Sequence, residues 1–460
     1  MKNKLIFLFC ILLSQTFISC KKYLAAKTDK TLVVPTTIED FQALLDNTFV
    51  NNQQGPSWDE ASADNYYLLP SDFNSLPVYN QKAYQWVDYP NSDYPNDWST
   101  LYNSVYYPNV VLDGMANVPE NNENQSAWGN VVGSALVFRA QAFLRAVLIF
   151  SKAFDSATAA QDYGIVLRLH SDFNTKSVRA NVWDSYQQII SDLKKAAPLL
   201  PVTPQHVMRP SMPAAYGLLA RTYLAMRNYD SCFKYADLSL QLKNDLMDYN
   251  DQSQVDTSNI IFPIQQFNEE VVFSGAINTY NFANIAPGIA RVDSILYQSY
   301  DVNDLRRPTF FLDASIIGST GEIFQGTYDG TYSNLFIGLA TDEVWLMRAE
   351  CNARLGNIAG AMSDLNTLMQ KRWRAGYFAP YSAQTATEAL NLVLTDRRKE
   401  LIFRGLRWMD IKRLNKEEEG ITLSRKVNGQ TYTLPPNDPR NALLIPEDII
   451  QMTGMPQNLR

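Results

Sequence analysis

The stretch RRKELIFRGLRWMDIKRL, residues 397–414, carries seven Arg or Lys against one Glu and one Asp, in a 460-residue chain of net charge -7. A basic helix of this kind can serve nucleic acid, a membrane surface or a protein interior. Read as one helix, it places Leu401, Ile402, Phe403, Leu406, Trp408, Met409, Ile411 and Leu414 at nearly every direction around the axis. A membrane-surface helix would gather its charges on one face; a helix apolar all round is buried. Its arginines must then be paired, because an unpaired buried charge costs several kcal/mol. The spacing predicts Glu400 to Arg404 and Arg407 to Asp410 as pairs, with Arg397, Glu400, Arg407 and Asp410 as structural ion-pair residues. Gly405, costly inside a helix, predicts a bend or a close backbone approach there. The segment is a structural girder, and nucleic acid is not its partner.

The rest of the chain sets that girder in a helical scaffold. In 218–240, Ala220, Tyr223, Tyr229, Cys232, Ala236 and Ser239 follow the frame of a helix-turn-helix repeat. In 343–369, Trp345, Ala349, Gly356, Asn357, Ala361, Leu365 and Leu368 do the same. Small residues at the crossing positions let the two helices of a hairpin approach, the tetratricopeptide pattern of about 34 residues. A less regular hairpin is predicted from 134–155 and 181–201, and 98–118 adds a further helical stretch in which Pro108 kinks or breaks the pattern. The expected fold is mainly α, with about four hairpins carrying long irregular excursions at 47–96, 244–340 and 415–460. Loops of that length are functional or disordered, and their aromatic content argues against disorder.

The N-terminus is expected to lie outside the fold. Lys2 and Lys4 precede the nine-residue apolar run Leu5–Leu13, and Ser19-Cys20 follows. That run is too short to span a bilayer. The reading is a lipoprotein-type signal over 1–19, with Cys20 acylated as the first mature residue and anchoring the protein to a membrane. Residues 20–460 form one domain, with an N-terminal part over 20–230 and a C-terminal part over 231–460. Cys232 and Cys351 then remain, each in an apolar helical pattern and read as small buried hydrophobes.

Four motifs in order resemble the SusD/RagB family of outer-membrane nutrient-binding lipoproteins. In the girder, Arg397, Glu400, Leu401, Phe403, Gly405, Arg407, Trp408, Asp410 and Arg413 match the family's C-terminal signature, while Asp396 and Arg404 stand where it has Glu. CKKYLAAKTDKTLVVPTTIEDFQALLDNT (20–48) is similar to the lipidated start and first helix. DEVWLMRAECNARLGN (342–357) resembles the last hairpin, and PPNDPRNALLIPEDII (435–450) the closing segment. The resemblance implies a four-hairpin scaffold with a loop-rich ligand face. It also implies a partner, a SusC-type TonB-dependent transporter capped by this protein, and hence an outer-membrane, surface location.

Residues 49–107 hold fourteen aromatics, twelve Asn or Gln, seven Asp or Glu and one Lys. Sugar C–H faces stack on rings and sugar hydroxyls bond to amides and carboxylates, whereas phosphates need cations that this stretch lacks. Trp98, Leu101, Tyr102 and Val105 have helical spacing and are read as core. The ligand platform is expected from Trp58, Asp64, Asn65, Tyr66, Tyr67, Tyr79, Trp86 and Tyr89, with Tyr280, Phe282, Phe324, Tyr328 and Tyr332 as a second cluster completing a groove. Catalysis finds little support: the two histidines, His170 and His206, have no metal-ligand spacing, and no cofactor motif occurs. The expected function is binding of an oligosaccharide; a peptide ligand, a tetratricopeptide interaction scaffold and a glycosidase are the alternatives.

Overall fold

Why the girder is buried becomes plain in the computed structural model, which describes residues 34–88, 94–259, 261–278, 283–331 and 333–460. The signal segment and Cys20 lie outside the described residues. The principal helices are α1 (Ile38–Leu45), α2 (Trp58–Ser62), α3 (Asp97–Met115), α4 (Gln125–Phe150), α5 (Val182–Ala196), α6 (Met212–Ala225), α7 (Tyr229–Leu242), α8 (Thr341–Arg354), α9 (Ile358–Met369), α10 (Ala386–Glu400), α11 (Arg407–Asn415) and α12 (Glu447–Thr453). The fold is mainly α. Six two-stranded sheets are described, all antiparallel, among them β1 (Tyr66–Tyr67) on β4 (Arg291–Val292), β2 (Tyr163–Val166) on β3 (Arg179–Asn181), and the hairpin β5 (Leu423–Val427) to β6 (Gln430–Leu434).

Successive helices pack as hairpins: α3 on α4, α4 on α5, α6 on α7, and α8 on α9. Ala220 and Ala236 are fully buried where α6 and α7 cross, and Ala349 and Ala361 where α8 and α9 cross. A larger side chain would push these helices apart. Gly356, at φ +81, ends the α8 turn as left-handed helix termini require. Cys232 and Cys351 are buried free thiols. α4 is long and apolar enough to cross a membrane, yet 89% of its apolar window is buried inside the protein. It is the central core helix, wrapped by α3, α5 and α1. Pro108 lies within α3, which continues through it to Met115 rather than breaking.

The girder departs from the single helix its sequence suggests. α10 ends at Glu400, Phe403 and Gly405 take φ +56 and +65, and α11 begins at Arg407. A Cβ on Gly405 would stand 2.8 Å from Arg145 Nη1 and 3.0 Å from Ile337 Cγ2. That reversal changes every expected partner. Glu400 does not pair with Arg404; it accepts from Arg372 Nε at 2.7 Å and Arg306 Nη1 at 3.1 Å. Arg404 instead reaches Asp342 at 3.0 Å. Arg407 pairs with Asp64, and Asp410 accepts from Arg397 at 2.9 Å and Arg413 at 2.8 Å. The i,i+4 pair Glu400–Arg404 needs a continuous helix, and none exists across 401–406; Arg407 and Asp410 share α11, but Asp64 takes the first and Arg397 and Arg413 the second. The charges are nonetheless buried and paired. Burial works against Asp410 ionising, but Arg397 and Arg413 outweigh it and hold its carboxyl below the ordinary range.

A groove between a helix, a loop and the C-terminus

The aromatic excursion at 47–96 folds inward. Trp58, Asn65, Tyr66 and Trp86 are 8%, 1%, 3% and 6% exposed, so none offers a face to a ligand. The physical reason is Arg425 on β5. Its guanidinium lies over the rings of Tyr84, Trp86 and Tyr66 at 4.2, 4.4 and 5.0 Å, and donates to the carbonyls of Tyr84, Ala61 and Ala63. Rings that composition marks as a sugar platform are a cation–π cage for the protein's own arginine. Trp86 Nε1 is also spent, donating to Ser62 O at 3.0 Å. Trp58 and Trp86 border a cavity of only about 30 Å³, the share of liquid volume of about one water.

The remaining expected residues fare similarly. Asn65 donates to Glu60 Oε1 at 2.7 Å. Asp64 is bound by Arg407 and Arg398. Tyr67 and Tyr79 are half-buried, Tyr67 on β1 lying against Gly321. Tyr89 lies outside the described residues, as do Tyr280, Phe282 and Tyr332. Phe324 and Tyr328 are core, at 5% and 2% exposure.

An open groove of about 340 Å³ lies elsewhere, between α3, the segment 166–177 and α12. Its aromatic wall is built on one face of α3. Trp98 is buried at the base, its ring 4.6 Å from Tyr102 and edge-on to Phe150. One turn on, Tyr106 stacks on Phe173 at 5.4 Å and 26° between planes. Phe173 is 75% exposed, and Met452 on the opposite rim is 72% exposed. Val105, Ile449 and Met455 supply further apolar lining.

α3 also fixes the loop that faces it. Tyr102 Oη donates to Val166 O and accepts from Val166 N, both at 2.9 Å; burial pushes this phenol up from its ordinary value. Asn109 Nδ2 donates to Arg168 O at 2.9 Å, and Asn109 Oδ1 accepts from Arg139 Nη1 at 2.9 Å. Asp113 accepts from Ser171 N and Oγ, both at 2.7 Å, and its Oδ1 meets His170 Nδ1 at 2.9 Å. Burial opposes ionisation of Asp113, but the Ser171 and His170 bonds prevail and keep its carboxyl below the usual range. Arg168 reaches across to Ser177 Oγ at 2.7 Å. The groove therefore offers an exposed stacked ring pair beside a pre-organised rim of guanidinium, imidazole, hydroxyl and the Asp172 carboxylate. An apolar surface with a few fixed polar groups is what a neutral ligand site requires.

Tyr106 falls inside the aromatic-rich stretch 49–107, but nothing in its local sequence separates a groove-facing ring from a core one. Phe173, Arg168 and His170 sit in the insertion between the helices of the irregular hairpin, where no periodicity marks a role.

Comparisons with known proteins agree on the scaffold. Residues 22–224 match a family model described as SusD-like, starch-binding associating with outer membrane, and residues 339–446 match the SusD family model. A curated relative, SusD-like protein P2 of Formosa agariphila, is 25% identical over 283 residues, covering 50% of this chain and 55% of that protein. The chain thus matches only about half the length of this relative. Among solved structures, a sugar-binding protein of Bacteroides vulgatus, so described provisionally, superposes with TM-score 0.75 at 19% identity, over 93% of this chain and 99% of that one. A SusD superfamily protein of Bacteroides thetaiotaomicron gives TM-score 0.74 at 20% identity, over 92% and 100%. With two family models in order along the sequence and the same helical architecture throughout, the chain belongs to the SusD/RagB family.

Proposed function

We propose that this protein is a lipid-anchored binding protein of the outer-membrane surface. It captures an oligosaccharide in the α3–α12 groove and delivers it to a SusC-like TonB-dependent transporter. The observation that carries the reading is the Tyr106–Phe173 stack, whose outer ring is solvent-exposed beside polar groups already oriented by α3. A single exposed ring is ordinary; one stacked on Tyr106 and facing the exposed Met452 across a groove suits stacking against a sugar face. An open groove of this size buries little ligand area, so binding is weak, which suits release to a transporter. The family descriptions support outer-membrane association and a starch-like ligand class.

The test is calorimetry against a panel of glycans and peptides. Tyr106→Ala and Phe173→Ala should each weaken glycan binding about tenfold or more, by removing one buried apolar face, with thermal stability unchanged. Unaltered binding in both variants would overturn the groove assignment. The apolar lining of Val105, Ile449 and Met455 favours a second reading, a peptide ligand, and the peptide arm of the panel decides between them. The anchor has its own test: Cys20→Ala should move the protein from the membrane to the soluble fraction, and a variant that stays membrane-bound would exclude lipidation as the anchor.

A further inference from the structure

The α12 rim of the groove stands on a fixed base. Gln457 clasps Ile445 twice, its Nε2 donating to Ile445 O at 2.8 Å and its Oε1 accepting from Ile445 N at 3.0 Å. Asn458 Nδ2 donates to Leu443 O at 2.6 Å and to Phe150 O at 2.8 Å, and Asn458 Oδ1 accepts from Arg179 Nη1 at 2.9 Å. Ile445 and Met455 are buried. The chain over 446–456 is thus a surface loop with joined ends, fixed to the C-terminal end of α4 and to β3.

Between those ends little holds α12. It alone of the principal helices contains no buried residue. Among the described residues, no hydrogen bond or ion pair joins 447–454 to any part of the protein outside 446–455. Ile449 and Ile450, both half-buried, make its contact with the core. A helix this short is marginal without tertiary packing. Its two ends are untethered as well. Pro446 at the entry has no N–H to donate, and Gly454 at the exit takes φ +67 with nothing within 4 Å of where a Cβ would stand. Ile449, Met452 and Thr453, at i, i+3 and i+4, share the face that lines the groove. Met452 is the exposed member of that face, across from Phe173.

We propose that α12 is a hinged flap, turning at Pro446 and Gly454 on its clasped base, and that its closure lays Met452 over a sugar ring stacked on Phe173. The unbranched thioether adapts its shape to the ring it covers. Met452 is then a positioning residue for the ligand, which lies between an aromatic ring and a sulfur instead of on an open shelf. The inference rests on the groove reading and deepens it: opening admits the sugar, and reopening lets it go.

Hydrogen exchange on the full mature protein, read by mass spectrometry, tests the hinge without any ligand. Amides of 450–454 should exchange about 100-fold faster or more than those in the middle of α3, because opening α12 breaks no bond to the body. The amides of Leu443 and Ile445, bonded to Ile149 O and Gln457 Oε1, should stay protected. Equal protection of α12 and α3 overturns the flap. Equally fast exchange at Leu443 and Ile445 also overturns it, since the whole C-terminus would then fray with no hinge. Maltoheptaose, and each other glycan that the calorimetric panel shows to bind, is then added. A bound glycan should slow exchange over 450–454 about tenfold, and Met452→Ala should raise its dissociation rate severalfold at an unchanged melting temperature. A bound glycan that leaves 450–454 unprotected, or that Met452→Ala releases no faster, overturns the closure. If no glycan binds, the groove reading fails and Met452 loses its role, whereas exchange in the free protein still decides whether α12 is hinged.

Discussion

Asp64 and Arg407 stand 343 positions apart and meet in a two-armed ion pair, Arg407 Nε donating to Oδ1 at 2.7 Å and Nη2 to Oδ2 at 3.0 Å. Arg398 adds a third bond to the same carboxylate at 3.1 Å. Together they tie the aromatic excursion after α2 to the girder. Burial would raise the Asp64 pKa, but Arg407 and Arg398 overcome it and bring it down to about 2. A folded pKa below the unfolded one means stability that is present above about pH 4 and lost as the pH falls toward 2. Asp64→Asn should therefore cost on the order of 2 kcal/mol at neutral pH, with the deficit shrinking as the pH falls. Urea midpoints of both proteins at pH 7 and pH 3 test this. The difference is the readout, because Asp59 and Glu60, raised by burial to about 6 and 7, shift stability in the opposite sense in both proteins. An equal deficit at the two pH values would remove the ion pair as its source.

Asp410 sits deeper, 6% exposed, between Arg397 and Arg413, each 1% exposed. Arg413 keeps Glu350 as a second partner, whereas Arg397 relies on Asp410 for its ion pair. Asp410→Ala leaves Arg397 buried without a counter-charge and should destabilise by on the order of 3 kcal/mol. A melting temperature within a degree of wild type would contradict the burial of this pair.

The girder also shows what sequence can reveal and what it cannot. Its burial is legible, because apolar residues in every direction leave no face for water. The partners are not, because they depend on a reversal at Phe403 and Gly405 that brings Asp342, Glu350 and Asp64 alongside from distant segments. The hairpins are legible for the same local reason: Ala220, Ala236, Ala349 and Ala361 recur where helices must touch. The site is another matter. Composition marks an aromatic surface over 49–107, but an aromatic ring stacks as well on Arg425 as on a sugar. Phe173 acquires its exposure from Asn109, Asp113 and Tyr102 holding the opposite loop, contacts that no spacing in that loop records.

Two glycines separate backbone strain from crowding. Gly405 and Gly356 both have positive φ, +65 and +81, but a Cβ at Gly356 meets nothing within 4 Å. Gly356→Ala should cost about 1 kcal/mol for the left-handed backbone alone. Gly405→Ala adds collision with Arg145 and Ile337, so about 2–3 kcal/mol is expected. Denaturant midpoints of the pair give the difference directly, and equal losses would mean that the girder reversal has room to spare.

Trp86 provides the sharpest contrast between an aromatic that holds the fold and one that meets a ligand. Its ring lies under Arg425, its indole N–H is bonded to Ser62 O, and it is 6% exposed. Removing it opens a void beside a guanidinium that loses part of its cage. Trp86→Ala should therefore destabilise by about 3–5 kcal/mol, and Trp86→Phe by less, since a smaller ring keeps one face for the arginine. Phe173→Ala, taking away a ring that is 75% exposed, should leave the denaturation midpoint unchanged. The two variants are thus expected to separate cleanly: one loses stability and keeps glycan affinity under conditions where it remains folded, the other keeps stability and loses affinity. Equilibrium unfolding paired with calorimetry on the same samples decides it. A folded, stable Trp86→Ala protein that no longer binds would return the ligand platform to the aromatic excursion and leave the α3–α12 groove without its function.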